Sequence, residues 1–284
     1  KIISAADPAL GQIPQNQFGI LHSLIGSASE VQKKELFHSV LNGWRVGNAG
    51  PERGTKNTLD LKARIVAEGD GFVINGQKFY STGALFAHWV AVKALNEHDQ
   101  QVLAFVKRGT QGLRIVDDWS GFGQRTTASG TVLLDNVRVE ADHVIDNWRL
   151  ALIPNIQGAV SQLIQAAIDA GIAREAIDDS IRFVRERSRP WIEAKVERAG
   201  DDLYVIADIG KLKLELHAAE ALLRKAGQVL DDISAAPIDE QSAARASIVV
   251  AEAKVLTTEI SLLASEKLFE LAGRDRKSTR LNSS

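Results

Sequence analysis

The chain has 284 residues, 45% of them hydrophobic, with no cysteine, no methionine and a formal net charge of -2. That length can bury a substantial core, while interspersed charges of both signs offer no basic face for nucleic acid or an anionic membrane. The lack of cysteine excludes disulfides, thiolate nucleophiles and iron–sulfur ligation, so any redox chemistry must come from a bound cofactor. No apolar run reaches bilayer-spanning length and nothing near Lys1 resembles a secretory leader, which makes the cytoplasm the expected location.

The opening KIISAADPALGQIP reads as the end of a helix running into a Pro- and Gly-punctuated loop, so a helical part is expected upstream. Ser29 and Gln32 have capping-box spacing, and Val31, Leu36, Phe37, Val40 and Leu41 then recur at helical intervals before Asn42-Gly43. From about residue 61 to 144, short runs such as ARIVAEGDGFVING, HWVAVKAL, VLAFVKR and TVLLDNVRV alternate between Gly, Asp and Asn turns, which predicts an antiparallel β domain. Three long amphipathic, Ala-rich segments follow, at about 154–187, 205–233 and 239–271, and predict a helical bundle. The expected class is α+β: the end of a helical domain at 1–46, a middle β domain at 47–145 and a bundle at 146–275. The polar run at 276–284 reads as a non-native, vector-like tail.

Four segments stand out from this pattern. The stretch DDWSGFGQRTTASGT at 117–131 lies between two strands, yet it is poor in aliphatic residues. Its hydroxyls, glycine-exposed N–H groups and Arg125 suit an anion, and Trp119 offers a flat surface for an aromatic cofactor. The competing reading is a long connection whose Ser and Thr side chains cap their own backbone. In KFYSTGA at 78–84 a strand passes into two hydroxyls, Ser81 and Thr82, and then small residues, which fits either a ligand edge or a strand end. GNAGPE at 47–52 places the Asn48 carboxamide in a loop of small residues. Arg185, Arg187 and Arg189 close the first bundle helix, where cations suit the helix C-terminus or a phosphate. Gly121-Phe122-Gly123 lacks the third glycine and the following helix of a dinucleotide fingerprint. No Walker A or HExxH motif is present, and the six histidines show no metal-ligand spacing.

Together, GNAGPE, NGQKFYSTGA, DDWSGFGQRTTASGT and RSRPW resemble the acyl-CoA dehydrogenase superfamily. Within it they resemble the branch of the dibenzothiophene monooxygenases and SfnB-type sulfur-acquisition oxidoreductases. The resemblance runs nearly to Gly273 and implies a β domain between two helical domains. It implies that Asn48, Ser81 and Thr82 lie near the flavin and its oxygen chemistry, and that Trp119 stands beside the ring. Arg125, Thr126, Thr127 and Ser129 are implied flavin and phosphate contacts, and Arg187 and Arg189 implied contacts across a subunit interface, in a homotetramer. Gln12 and Asn16 stand where this branch carries histidine and tyrosine in the substrate pocket, which implies a different and smaller substrate. The implied activity is a two-component monooxygenase that takes reduced FMN from a separate flavin reductase and oxygenates a small organosulfur compound. Two rivals remain open: an FAD-dependent acyl-CoA dehydrogenase, whose glutamate base would fall beyond Gly273, and an inactive flavin-binding scaffold.

Overall fold

The computed structural model describes residues 1–57 and 60–272; the tail expected at 276–284 lies outside the described residues. The chain divides into two compact units, one formed by residues 12–161 and the other by Lys1–Gly11 together with the chain from Gln162 onward.

The 12–161 unit joins two helices, α3 (Gln15–Ser27) and α4 (Glu30–Leu41), to an eight-stranded sheet. The strands are β1 (Val46–Ala49), β2 (Arg64–Glu68), β3 (Gly71–Lys78), β4 (Trp89–Leu95), β5 (Gln101–Lys107), β6 (Leu113–Val116), β7 (Thr131–Glu140) and β8 (Val144–Ile145). Their order is β6-β7-β3-β2-β4-β5-β8, with β1 also on β4. The ladders are antiparallel as expected, except that β1 and the start of β2 run parallel to β4. Alternation along β4 separates two cores. Val90, Val92 and Ala94 pack with Ile65, Ile74 and Val137, whereas Trp89 and Ala91 pack with Leu24, Leu36 and Phe105.

The capping box of α4 forms as its spacing predicts: Ser29 Oγ accepts from the Gln32 N–H at 3.3 Å, and Gln32 Oε1 accepts from the Ser29 N–H at 2.9 Å. The same Gln32 donates to the Val144 carbonyl at 2.9 Å, which ties α4 to β8.

In the other unit, α5 (Gln157–Glu186), α6 (Leu203–Ser234) and α7 (Glu240–Ala272) are the three expected bundle helices. Ile177, Leu212, Leu216, Ile260 and Leu268 interlock, with Ala173, Ala219 and Ala264 allowing close approach. The opening segment differs from its loop reading, because α1 (Ile2–Ala6) is followed at once by α2 (Pro8–Gln12). The Asp7 carboxylate accepts from the Ala9 and Leu10 N–H groups at 2.7 and 3.2 Å, and Pro8 occupies a first-turn position where its missing N–H costs nothing. Glu220, with 6% of its side chain exposed, receives Lys1 at 3.3 Å and also pairs with Arg174.

Candidate functional site

Three of the four segments singled out in the sequence meet on the 12–161 unit. The Asn48 N–H donates to the Thr82 carbonyl at 3.1 Å, and the Ser81 N–H donates to the Gly130 carbonyl at 3.0 Å. Thr82 Oγ1 lies 2.7 Å from Ser129 Oγ, which lies 2.8 Å from Thr127 Oγ1. Thr127 Oγ1 in turn donates to the Gln124 carbonyl at 3.0 Å. Each hydroxyl carries one proton, so the direction of this relay follows. Thr127 gives its proton to Gln124, Ser129 gives its own to Thr127, and Thr82 gives its own to Ser129. Thr82 Oγ1 therefore presents only lone pairs to a ligand.

Beside this relay, Ser81 Oγ is buried with no hydrogen-bond partner. The Asn48 side-chain amide likewise makes no hydrogen bond to any described residue. Native proteins satisfy nearly all buried polar atoms, so the orphaned Ser81 hydroxyl marks where a polar ligand group belongs.

The connection at 117–130 is folded onto itself. Trp119 Nε1 donates to the Gln124 carbonyl at 3.2 Å, and a Cβ at Gly121 would collide with the Trp119 ring. Asp118 pins the connection to β7 by accepting from Thr131 N and Oγ1 at 2.8 and 2.7 Å. Those Thr131 hydrogen bonds, with Arg53 nearby, hold the Asp118 carboxyl below the usual carboxylate range. A cavity of about 230 Å³ opens between Arg53, Tyr80, Trp119, Ser129 and Thr131. Tyr80 meets the Trp119 ring edge-on at 6.2 Å, and the Arg53 guanidinium covers the Phe79 and Tyr80 rings at 4.3 and 5.2 Å. Tyr80, Gln124 and Ala128 all hold left-handed backbone conformations, with φ of 52°, 46° and 44°. Strain of this kind, on the order of 1–3 kcal/mol per residue, persists where surrounding structure enforces it and clusters at ligand sites.

A buried ion pair ties the 78–84 segment to the 47–52 segment. Lys78 Nζ lies 2.5 Å from Glu52 Oε1, with 0% and 4% of the two side chains exposed. Glu52 also accepts from the N–H groups of Lys62 and Ala63 at 2.7 and 3.1 Å, and Lys78 donates to the Gly50 carbonyl at 3.3 Å. Burial pushes the Glu52 carboxyl up, but Lys78 and the two N–H groups outweigh it and hold the carboxyl below its usual range.

The remaining residues singled out in the sequence are placed less closely. Arg125 and Thr126 are exposed on the 117–130 connection, and Thr127 spends its proton inside the loop, as the self-capping reading expects. Arg187 and Arg189 are exposed just past the end of α5, in the other unit. Gln12 Oε1 is buried and unpartnered. Asn16 sits on α3 beside Gln17, whose Oε1 accepts from the Val46 N–H at 3.0 Å. Lys78, Tyr80, Glu52 and Asp118 lie in segments singled out by sequence but were given no individual role there, and Arg53 lies just outside them. Lys78 carried the clearer signal, as a charge at the end of a strand whose neighbours alternate toward the core.

A second cavity, of about 480 Å³, is bordered by Trp89, Lys107, Arg138 and His143 and shares no wall with the first. Its charges are of both signs, and it holds none of the residues singled out above. Among the described residues no group of His, Asp and Glu is arranged to hold a metal ion, and no helix is long and apolar enough to cross a membrane.

Comparison with known proteins agrees with this layout. The acyl-CoA dehydrogenase middle-domain family matches residues 49–137, and the acyl-CoA dehydrogenase C-terminal-domain family matches residues 163–278. Dibenzothiophene monooxygenase of Rhodococcus erythropolis is 30% identical over 95% of this chain and 69% of its own length. The probable FMNH2-dependent monooxygenase SfnC of Pseudomonas putida is 27% identical over 81% of this chain and 58% of its own. The crystal structure of FMN-bound TdsC from Paenibacillus sp. A11-2 superposes with a TM-score of 0.91 at 26% identity, covering 98% of this chain and 73% of that one. With both domain families matched in chain order and a relative of this identity along nearly its whole span, the chain belongs to the acyl-CoA dehydrogenase family, on the branch that contains the dibenzothiophene monooxygenases.

Proposed function

We propose that this protein is the oxygenase component of a two-component, FMN-dependent system that oxygenates a small organosulfur compound in sulfur acquisition. The observation that carries the reading is that the segments bearing three uncommitted polar groups, the buried Ser81 hydroxyl, the Asn48 amide and the acceptor Thr82 Oγ1, are hydrogen-bonded together on the β unit. Together with the Trp119 indole this donor and acceptor set fits a flavin ring, which needs polar partners along one edge and an apolar wall beside it.

Reduced FMN, delivered by a separate flavin reductase, supplies two electrons and activates dioxygen. The chain's own task is to bind, orient and keep water out. Thr82, left as an acceptor by the Ser129–Thr127 relay, suits an N–H that a flavin gains on reduction. Ser81 and Asn48 would hold the polar edge of a bound flavin, and Trp119 would wall off solvent. The exposed Arg125 and Thr126 form the phosphate side, whereas Thr127 and Ser129, expected there from family resemblance, have spent their protons within the relay and instead fix Thr82 as an acceptor. Arg187 and Arg189 serve the site of a neighbouring subunit in a homotetramer, and Gln12 and Asn16 line the substrate pocket. The domain division follows the family pattern, with the helical end at 1–46, the β domain at 47–145 and the bundle at 146–275, and the protein works in the cytoplasm. In the net reaction one oxygen atom forms a bond to sulfur and the other leaves as water.

The test is turnover with a flavin reductase, NADH, FMN and a panel of sulfones, sulfinates and thiophenes. Formation of an oxygenated sulfur product in step with NADH use is expected. Release of all reducing equivalents as hydrogen peroxide, or bleaching of bound FAD by an acyl-CoA without oxygen, contradicts the proposal.

A further inference from the structure

We infer that Lys93, on the strand beside Asn48, sets substrate specificity: its ammonium receives an anionic oxo group, so the substrate class is an organosulfur anion, a sulfinate or sulfonate, and not a neutral thiophene or sulfone. The inference rests on the flavin reading of the site above. It begins with the strand pattern. Trp89 and Ala91 face one core and Val90, Val92 and Ala94 the other, so Lys93 shares the Trp89 and Ala91 face. In the parallel ladder Asn48 stands opposite Ala91, which brings the continuation of β1 at Gly50 alongside Lys93. Gly50 has no side chain, and both neighbours close over it. The position its Cβ would take lies 3.2 Å from Asn48 Oδ1, 3.3 Å from Lys93 Cδ and 3.6 Å from Lys93 Cε. The lysine stem and the Asn48 amide oxygen therefore both border the space over Gly50.

The charge of Lys93 is uncompensated. It forms neither a hydrogen bond nor an ion pair with any described residue. Its ionised neighbours, Lys78 and Glu52, already neutralise each other at 2.5 Å. After burial, which has the larger effect, the positive charge of Lys93 is among the influences that lower the Lys78 ammonium. Burial likewise pushes the Lys93 ammonium below the ordinary lysine range. A half-buried cation without a counter-charge is unfavourable, and an incoming oxyanion relieves that cost through a charge-assisted hydrogen bond. A neutral substrate gives it nothing. The polar Gln12 and Asn16, placed at the pocket by family resemblance, accord with a polar substrate.

The anion that answers Lys93 has two possible sources, the substrate and FMN itself, and titration calorimetry separates them. Benzenesulfinate and neutral methyl phenyl sulfone serve as probes of similar shape, with and without FMN, against wild type, Lys93→Gln and Lys93→Arg. Benzenesulfinate is expected to bind wild type about tenfold tighter than the sulfone. Lys93→Gln should erase that preference without lowering the melting temperature, Lys93→Arg should keep most of it, and FMN affinity should change less than about twofold. Equal affinities in wild type, binding of neither probe, or a preference that survives Lys93→Gln overturns the assignment. A loss of FMN affinity as large as the loss for the sulfinate also overturns it, by giving the charge to the cofactor. Failure of FMN to bind, with sulfinate recognition still dependent on Lys93, would refute the flavin reading and with it the substrate role, leaving Lys93 an anion site only.

Discussion

Replacing Lys78 by Met removes the cation of the Lys78–Glu52 pair while keeping most of the aliphatic volume. The Glu52 carboxylate, with 4% of its side chain exposed, would retain only the two N–H groups of Lys62 and Ala63. An uncompensated buried charge of this kind costs about 3–5 kcal/mol. For a unit of this size that is a fall of roughly 10 °C in melting temperature. The double variant Lys78→Met, Glu52→Gln removes both charges. Its amide oxygen replaces only one of the two acceptors, Oε2 for Lys62 and Oε1 for Ala63, so its cost should be about 1–2 kcal/mol, less than that of Lys78→Met alone. Calorimetry or urea unfolding of wild type, both single variants and the double variant completes the cycle. A Lys78→Met cost below about 1 kcal/mol, or a double variant whose cost equals the sum of the singles, would refute the pair as the support of the 48–52 segment.

Stability should also depend on acid through the same carboxylate. Its folded pKa lies below the ordinary value of 4.5, so the unfolded chain takes up this proton first. The contribution is complete above that value and is lost as pH falls below it through the folded pKa; thermal melts between pH 5.5 and 3.5 should show this limb, reduced in Glu52→Gln. Ala128→Gly removes the penalty of a φ of 44° and should raise stability by about 0.5–1 kcal/mol in urea unfolding, less whatever glycine adds to the unfolded chain's freedom; a loss would mean the left-handed conformation is not strained. Thr82→Val breaks the relay at its ligand end and should weaken binding of reduced FMN about tenfold, with a smaller effect on oxidised FMN, in anaerobic fluorescence titrations.

Much of the fold is written locally. The bundle helices carry long apolar stripes, α4 announces itself by the Ser29–Gln32 box, and the strands alternate. Helix α3 does not. Its sequence QNQFGILHSLIGS holds two glycines, and no side-chain cap closes its N-terminus. The glycines serve packing, because a Cβ at Gly19 would lie 2.7 Å from Ser161 Oγ and one at Gly26 equally close to Leu150 Cδ2. Tertiary contact thus overrides a poor local propensity. Strand β1 was similarly read as a loop, since Val-Gly-Asn-Ala has no strand signature and is held by its ladder to β4.

The candidate site was legible as polar runs where apolar residues were due. Its wiring was not. Thr82 and Ser129 are 47 residues apart, and the orphaned state of Ser81 Oγ depends on three segments meeting, which no local window contains. Sequence also could not distinguish the hydroxyls that face a ligand from Thr127, whose proton is consumed by its own loop.

The central claim is that this chain uses reduced FMN to place one atom of dioxygen on sulfur. The most direct measurement is turnover under ¹⁸O₂ with reductase-supplied FMNH2, followed by mass spectrometry of the sulfur product. The account predicts one ¹⁸O per product molecule and loss of that product in Asn48→Ala and Thr82→Val, with peroxide rising in its place. Product oxygen that comes from unlabelled water, or peroxide as the sole fate of dioxygen in wild type, would contradict it.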